Sequence, residues 1–347
     1  MDAPQVALRD RVSAAYNRVG TVKNADRVEV LEHSKRFVKV RTSRNEEGWM
    51  EQRYLVDQTV YDRFQKLALS HAHDPPQAKA TTRFQANMHV NPGRETEKLF
   101  LLEPDQKVDL LERASVAKQP IGGAPVPAPQ KTQKAQKTPA GGKNKKKGES
   151  KSSLENSDEP TIPMEDWWLV RDSQARLGWV LGRYLDVDVP LEIAQYAEGQ
   201  RIVASFVLTE VQDPAANRAT AAVPYYLVLM TEPKDGMPFD FNHIRVFSWN
   251  LKRHRYETAY RERGLYGLLP VSVGKESFEK EGVLPIFIVH AKDDEGNVTE
   301  RKYKLSGVMV KRVLAPGERL TPTRVSGTRR GVAQPAAGRV HPTGGNR

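Results

Sequence analysis

Residues 48–55 read GWMEQRYL, and residues 178–185 read GWVLGRYL. The sequences upstream also align, with FVKV at residues 37–40 against WWLV at residues 167–170. Self-similarity of this kind indicates that one structural unit occurs twice in the chain. We call the two copies module one and module two.

The spacing of the matches shows where the two modules differ in length. Val28 matches Val108 at an offset of 80 residues, whereas Gly48 matches Gly178 at an offset of 130. Module two therefore holds about 50 extra residues between positions 112 and 167, in a single connection, as expected of a loop insertion rather than a change in the core.

Module one alternates short strand-like runs with turn-prone stretches. Five such runs in about 50 residues predict a small β-barrel, and they lie at residues 6–9, 27–32, 37–42, 48–50 and 54–56. Val60, Phe64, Leu67 and Ala68 then recur at helical spacing until Pro75-Pro76. This pattern predicts a helical connector over residues 58–85.

The sequence beyond module two contains longer strand-like runs. They fall at residues 200–211, 223–231, 243–250, 255–261, 284–291 and 301–310, with Lys252-Arg253-His254 as a hairpin tip. The fold class predicted is all-β: two small barrels joined by a short helix, followed by an antiparallel β-meander or sandwich. The predicted domains are barrel one at 1–57, the connector at 58–85, barrel two at 86–187 and a C-terminal β domain at 191–314.

The positive charge of the chain is concentrated in two segments. The formal net charge is +11; residues 117–160 carry nine lysines against four acids, and residues 315–347 carry six arginines against one. Both segments are poor in large apolar residues, which predicts a disordered insert and a disordered basic tail. The Pro-rich stretch 124–129 is either a stiff spacer or a built-in ligand for module two.

The second half of each module resembles an SH3 domain. In module two, Trp167-Trp168 stand on one strand, and the next strand begins Gly178-Trp179 and leads to Tyr184. When the first-strand residues of each copy are considered together with these motifs, the chain is most similar to tandem bacterial SH3-like (SH3b) domains with an extra C-terminal β domain. The resemblance covers roughly residues 6–57 and 86–187.

The resemblance implies a ligand groove lined by aromatic residues. Carried over by position, the groove candidates are Phe37, Trp49, Tyr54, Trp167, Trp179 and Tyr184. Aromatic faces stack on sugar rings, proline rings or apolar side chains. Trp167 is the first choice for a ligand contact, while Trp49 and Trp179 are assigned either to barrel packing or to the ligand.

Catalysis is not expected. The chain has no cysteine, which excludes the thiol nucleophile of many wall hydrolases that carry SH3-like modules. The eight histidines are scattered, His71 and His73 lie in the connector, and no phosphate-binding glycine loop or nucleophile elbow is present. We therefore predict no enzyme activity, no cofactor and no metal site.

Two function classes fit these observations. The first is a non-catalytic binding or scaffold protein of the bacterial envelope, whose SH3-like modules recognise cell-wall polymer or an envelope protein. The alternative is a polyanion binder that holds nucleic acid or an anionic surface through its basic segments while its barrels are purely structural. No apolar window reaches the length of a membrane helix. An extracytoplasmic location is expected if Met1 is a mature or truncated start, and a cytoplasmic location remains the alternative.

Overall fold

The computed structural model describes residues 5–118 and 162–314, apart from residues 217, 219 and 294. These residues form three antiparallel sheets, one helix of 13 residues and one short helix. The all-β class predicted from the sequence is confirmed. The predicted tail, 315–347, and nearly all of the predicted insert lie outside the described residues.

Module one is a five-stranded barrel with its own small core. Its strands are β1 (Gln5–Arg9), β2 (Arg18–Lys23), β3 (Val28–Ser34), β4 (Phe37–Thr42) and β5 (Glu47–Glu51), followed by a 3-10 turn at Gln52–Tyr54. The strand order is β2-β1-β5-β4-β3. The sequence pattern missed β2, and the strand predicted at residues 54–56 is wrong, because the chain leaves β5 in the 3-10 turn. The core consists of the inward-pointing residues Leu8, Val22, Val38, Val40 and Met50, all at most 1% exposed.

The connector contains the predicted helix and a strand that the sequence pattern missed. Helix α1 (Gln58–Ser70) begins at Asp57, whose side chain accepts a hydrogen bond from the Thr59 amide; this bond lowers the pKa of the Asp57 carboxyl. Phe64 of α1 is buried and meets Phe100 edge to face, with 5.1 Å between ring centroids. Strand β6 (Ala78–Thr82) follows and joins the sheet of module two.

Module two repeats the barrel and extends its sheet. Its strands are β7 (Ala86–His89), β8 (Lys98–Leu102), β9 (Lys107–Ala117), β10 (Met164–Arg171) and β11 (Leu177–Leu181), with a 3-10 turn at Gly182–Tyr184 and then β12 (Leu185–Val187). The order β12-β6-β9-β10-β11-β7-β8 contains the five-strand order of module one. Strand β9 runs to Ala117 and pairs there with Met164, so the paired residues end at the first residue of the predicted insert, 117–160.

The two sheets share irregularities as well as strand order. Leu31 in β3 and Leu111 in β9 are the extra residues of equivalent β-bulges. The glycine of each motif is required for the same steric reason. A Cβ on Gly48 would lie 2.7 Å from the Leu8 Cβ, and a Cβ on Gly178 would lie 2.6 Å from the Met88 Cβ. Each glycine thus allows the first strand of its barrel to cross close to the fifth.

The C-terminal sheet is a seven-stranded meander rather than the six strands predicted. After helix α2 (Leu191–Ala194) come, in spatial and chain order, β13 (Arg201–Gln212), β14 (Ala222–Thr231), β15 (Phe241–Asn250), β16 (Arg255–Phe278), β17 (Gly282–Lys292), β18 (Val298–Ser306) and β19 (Met309–Val313). The last predicted strand is a hairpin, because Gly307 adopts a positive φ of 61° and reverses the chain. The turn at residues 251–254 is where the sequence placed it.

The long strand β16 belongs to both halves of this sheet. Its first part pairs with β15 and its second part pairs with β17, and the change occurs near Gly267. A Cβ on Gly267 would lie 2.2 Å from the buried Phe241 ring, so only glycine fits at this crossing. The strand predicted at residues 255–261 therefore continues to Phe278.

Buried polar contacts join module two to the C-terminal sheet. Arg113 of β9 forms ion pairs with Asp166 at 2.7 Å and Asp240 at 2.9 Å, and its side chain is only 8% exposed. Gln77 accepts a hydrogen bond of 2.7 Å from the amide of Val271. The apolar core is also continuous across this boundary, so module two and the C-terminal sheet pack as one body.

Candidate functional site

The outer face of strands β4 and β5 in module one carries the first group of predicted site residues. Phe37 and Trp49 point away from the barrel core, since they alternate with the buried Val38 and Met50. Trp49 lies opposite Lys39 on β4 and opposite Arg9 on β1. Because residues directly opposite each other on paired strands share one face of the sheet, these aromatic and basic side chains lie on one surface.

Arginine and aromatic side chains interleave on this surface. The Arg9 guanidinium lies 4.1 Å from the centroid of the Tyr16 ring and 5.4 Å from that of Phe37. Arg36 approaches Phe37 at the same distance, 5.4 Å. Such contacts stabilise both partners by cation–π attraction. We call this group, Arg9, Tyr16, Arg36, Phe37 and Trp49, the aromatic face.

The aromatic face is partly open to solvent. Tyr16 is 42% exposed, as is Val12 on the same loop, and Trp49 is partly buried. The groove candidate Phe37 is only 6% exposed, because neighbouring side chains, including those of Arg9 and Arg36, cover its ring. The accessible rings are therefore those of Tyr16 and Trp49.

The loop that carries Tyr16 is held at its base. The Asn17 amide donates to the Asp10 carboxylate at 2.8 Å, and the Asp10 amide donates to the Asn17 carbonyl at 3.0 Å. Hydrogen bonds from Arg11 and Asn17 lower the pKa of Asp10 to about 2. Asp10 therefore stays ionised at neutral pH and keeps both ends of the loop together.

The charged residues around Trp49 are mostly paired with one another. Lys39 and Arg41 hold Glu47 at 3.0 and 2.8 Å, which lowers the pKa of the Glu47 carboxyl. Arg53 pairs with Glu51 at 2.8 Å and also donates to the Tyr54 hydroxyl. Tyr54 lies at the end of the 3-10 turn and packs partly against the barrel core, so it borders the face rather than forming it.

Module two buries the corresponding surface. Trp167 is 2% exposed and Trp179 is 8% exposed, so the expectation that they line an accessible groove is corrected. They belong to an apolar cluster on the outer side of the sheet, against which Leu67 and Ala68 of α1 pack; its buried members are Leu111, Trp167, Leu169, Leu177, Trp179 and Leu181. The connector helix helps cover the surface that the resemblance assigns to ligand.

Further contacts close the edges of this buried surface. The His89 ring meets Trp167 edge to face at 5.1 Å, and burial lowers the pKa of His89. Arg94 donates to Glu165 at 2.8 Å, and this bond lowers the pKa of the Glu165 carboxyl. Tyr184 remains partly exposed beside Phe84, with 6.4 Å between ring centroids. Of the three candidates in module two, only Tyr184 is open to solvent.

Sequence reasoning missed Arg9 and Tyr16. Tyr16 lies in an exposed loop without apolar periodicity, so the only available signal was its place between the first two strands of an SH3-like barrel.

His71 pairs with Asp74 at 2.7 Å, and in the described part of the chain no group of three or more His, Cys, Asp or Glu residues is arranged to hold a metal ion.

Comparison with known proteins identifies one part of the chain. Residues 4–56 match the family described as the bacterial SH3 domain. No curated protein matches the chain. Module one is therefore similar to a bacterial SH3 domain by sequence, and module two shares its strand order. No helix among residues 5–118 and 162–314 is long and apolar enough to cross a membrane.

Proposed function

We propose that this protein is a non-catalytic binding or scaffold protein of the bacterial envelope, and that the aromatic face of module one is its ligand surface. One observation carries the proposal: equivalent surfaces are open in module one and covered in module two. At the matching positions Trp49 is partly exposed whereas Trp179 is 8% exposed, and the partly exposed Lys39 stands where module two has the fully buried Leu169. Tyr16 adds a ring that is 42% exposed. Module one binds, and module two is structural.

The chemistry of the aromatic face defines the ligand class. Tyr16 and Trp49 offer flat rings for sugar or apolar groups, and Arg9 and Arg36 supply nearby guanidinium groups that favour carboxylates. Wall polymer, with its sugar rings and peptide carboxylates, presents both features. An envelope protein with an apolar residue beside an acidic one is the second ligand that fits.

The test is binding of the full chain to purified cell-wall sacculi by co-sedimentation. We expect Tyr16→Ala and Trp49→Ala each to weaken binding about tenfold, the typical effect of losing an aromatic anchor. Phe84→Ala is the matched control, because Phe84 is an aromatic of the connector, 61% exposed, that lies beside Tyr184 of module two. It should leave binding unchanged.

Two results would reject the proposal. If Phe84→Ala weakens binding and Trp49→Ala does not, the ligand surface is on module two. If the wild-type chain binds sacculi but neither Tyr16→Ala nor Trp49→Ala reduces binding, the aromatic face is not the site. Absence of sacculus binding together with capture of a defined envelope protein, lost in Trp49→Ala, would select the protein ligand.

The charge distribution supports the alternative of a polyanion binder. Residues 117–160 and 315–347 together hold +10 of the formal charge of +11. Charge-driven binding falls steeply with salt, whereas binding at an aromatic face changes little. Heparin affinity that disappears when residues 119–161 and 315–347 are deleted, while sacculus binding persists, would assign polyanion contact to these segments alone.

A further inference from the structure

The sheets of the two modules differ at one edge. In module one the sheet ends at β3, and no strand within the described residues pairs with its outer side. In module two the equivalent strand β9 is followed by β6 and β12. Strand β6 pairs antiparallel with β9 through Ala78↔Leu110, Lys79↔Asp109, Ala80↔Val108 and Thr81↔Lys107.

The offset of 80 residues maps this pairing onto module one. The positions that would receive an added strand are Arg27, Val28, Glu29 and Val30. In both modules the segment ends at the same bulge, Leu31 or Leu111. The outer edge of β3 therefore has the same local shape as the edge that β6 occupies.

Exposure shows what β6 does for module two. Leu110 is 0% exposed and Val108 is 3% exposed under β6, whereas the equivalent Val30 is 42% exposed. Edge strands of natural proteins are usually protected because their free amide and carbonyl groups attract other strands. Here an apolar residue remains open at the place where the other module carries a covering strand.

A cleft of about 700 Å³ runs beside this edge. Arg27, Val28 and Val30 form one wall, and Tyr61 of α1 and Leu99 of β8 contribute to the rest of the lining. The cleft thus contains three of the four residues that would pair with an added strand. Tyr61 is itself 39% exposed, which leaves apolar surface on both sides.

We propose that β3 accepts an extended segment of a partner protein as an added antiparallel strand, in the way that β9 accepts β6. The pattern of β6 defines the segment: small apolar residues opposite Val28 and Val30, a cation opposite Glu29 and a hydroxyl opposite Arg27. In module two, Lys107 donates to the Thr81 hydroxyl at 2.7 Å. The chemical class is an Ala-Lys-Ala-Thr-like strand.

Charge complementarity favours a basic segment over a second copy of β3. The Glu29 side chain is 64% exposed although it pairs with Arg41 at 3.0 Å. Asp26 and Asp57 also line the cleft. Two β3 edges paired with Glu29 opposite Glu29 would place like charges against each other, which destabilises that register.

The probe is a capped synthetic peptide with the sequence of residues 77–83, QAKATTR, added to the full chain. We expect hydrogen exchange to slow at residues 27–31 and to remain unchanged at residues 18–23. The backbone amide of Thr82 donates to the carbonyl of Gln106, just before β9, at 3.0 Å. Because every second amide of an antiparallel strand points to the same neighbour, the amide of Ala80 also faces β9. A peptide N-methylated at Ala80 should not bind.

Charge reversal provides a matched pair of variants. A peptide with Lys79→Glu should bind wild-type chain about fivefold more weakly, the typical difference between opposite and like charges across a strand pair. The protein variant Glu29→Lys should restore binding of that peptide and weaken binding of the original. Trp49→Ala should change neither affinity, because Trp49 lies on β5, and this separates the edge from the aromatic face.

Three outcomes would overturn the proposal. One is unchanged exchange at residues 27–31 with peptide at millimolar concentration, and another is equal binding of the N-methylated peptide. The third is protection of residues 27–31 that rises with protein concentration without peptide, because this would make a second copy the occupant.

Discussion

Modules one and two share strand order, bulge and motif glycine, yet they differ in what covers them. Module one has a separate core of five buried residues and keeps its aromatic face and its β3 edge accessible. Module two is covered by α1 on its outer face, by β6 at its edge and by the C-terminal sheet. One barrel can therefore serve either as an open module or as an internal element, depending on its outer residues.

The outward-pointing residues at equivalent positions of the two modules differ in polarity, in agreement with this difference in coverage. Module one has Lys39, Glu47 and Glu51 where module two has Leu169, Leu177 and Leu181. A strand with one solvated face alternates polar and apolar residues, whereas a strand covered on both faces becomes continuously apolar. The comparison predicts that exchanging such residues will affect the two modules very unequally.

The largest effect is expected from the exchange of Leu169 and Lys39. Leu169→Lys removes a fully buried side chain and places an amine beneath a covered face, which should destabilise the protein by about 5 kcal/mol. Lys39→Leu removes a partly exposed ion pair and should change stability by about 0.5 kcal/mol or less. Guanidinium denaturation followed by tryptophan fluorescence measures both; similar losses would mean that the outer faces are equally covered.

A smaller loss of stability is expected from Arg113→Ala. This variant tests the buried ion pairs that attach module two, and not module one, to the C-terminal sheet. This change removes the shared partner of the buried Asp166 and Asp240, of which Asp166 retains only the longer ion pair with Arg201 at 3.4 Å, and should cost about 3 kcal/mol. The residue at the matching position of module one is the exposed His33, so His33→Ala should cost about 0.5 kcal/mol or less. Equal denaturation midpoints for the two variants would show that the buried ion pairs do not stabilise the contact with the C-terminal sheet.

The smallest expected effect is on the pH dependence of stability, through a histidine on the covered face of module two. His89 occupies the place of Arg9 in module one, and burial lowers its folded-state pKa below the usual 6.5. The unfolded chain therefore takes up a proton near pH 6.5 that the folded chain takes up only at lower pH, so stability falls as pH decreases between these two values. His89→Gln should reduce the slope of unfolding free energy between pH 7.5 and 5.5.

The slope should not disappear entirely in His89→Gln. Burial and nearby arginines lower the pKa of His243 in the C-terminal sheet to about 4, and this group contributes in the same direction. The matched variant Arg9→Gln should leave the slope unchanged, because arginine does not titrate in this range. An unchanged slope in His89→Gln would show that His89 is not held neutral by the covered face.

The predictability of the fold differed between elements for physical reasons. Strands β1, β3, β4 and β5 and helix α1 follow the predicted pattern, whereas β2 was missed and residues 54–56 do not form the predicted strand. Strand β6 reads Ala-Lys-Ala-Thr-Thr, with small side chains that give little apolar signal. Its pairing with β9 depends on residues far along the chain, and local pattern does not contain that information.

The candidate site was predicted in part. The position of the groove followed from the resemblance, and Trp49, Tyr54 and Tyr184 are at least partly accessible. Trp167 was the preferred residue because it stands where the family exposes an aromatic ring. The leucines at 169, 177 and 181 were the signal that this face is covered, since exposed strand positions seldom carry so many large aliphatic residues.

The sequence by itself determined the repeated barrel, the helix between the copies and the all-β class, because each rests on local periodicity and on two glycines that admit no side chain. Only the tertiary structure decided which barrel stays open. Whether a surface is covered depends on segments that are distant in sequence but adjacent in space, such as α1 across Trp179 and β6 along β9. Burial is a property of those contacts, so Trp49 and Trp179, at matching positions of two similar motifs, differ in exposure.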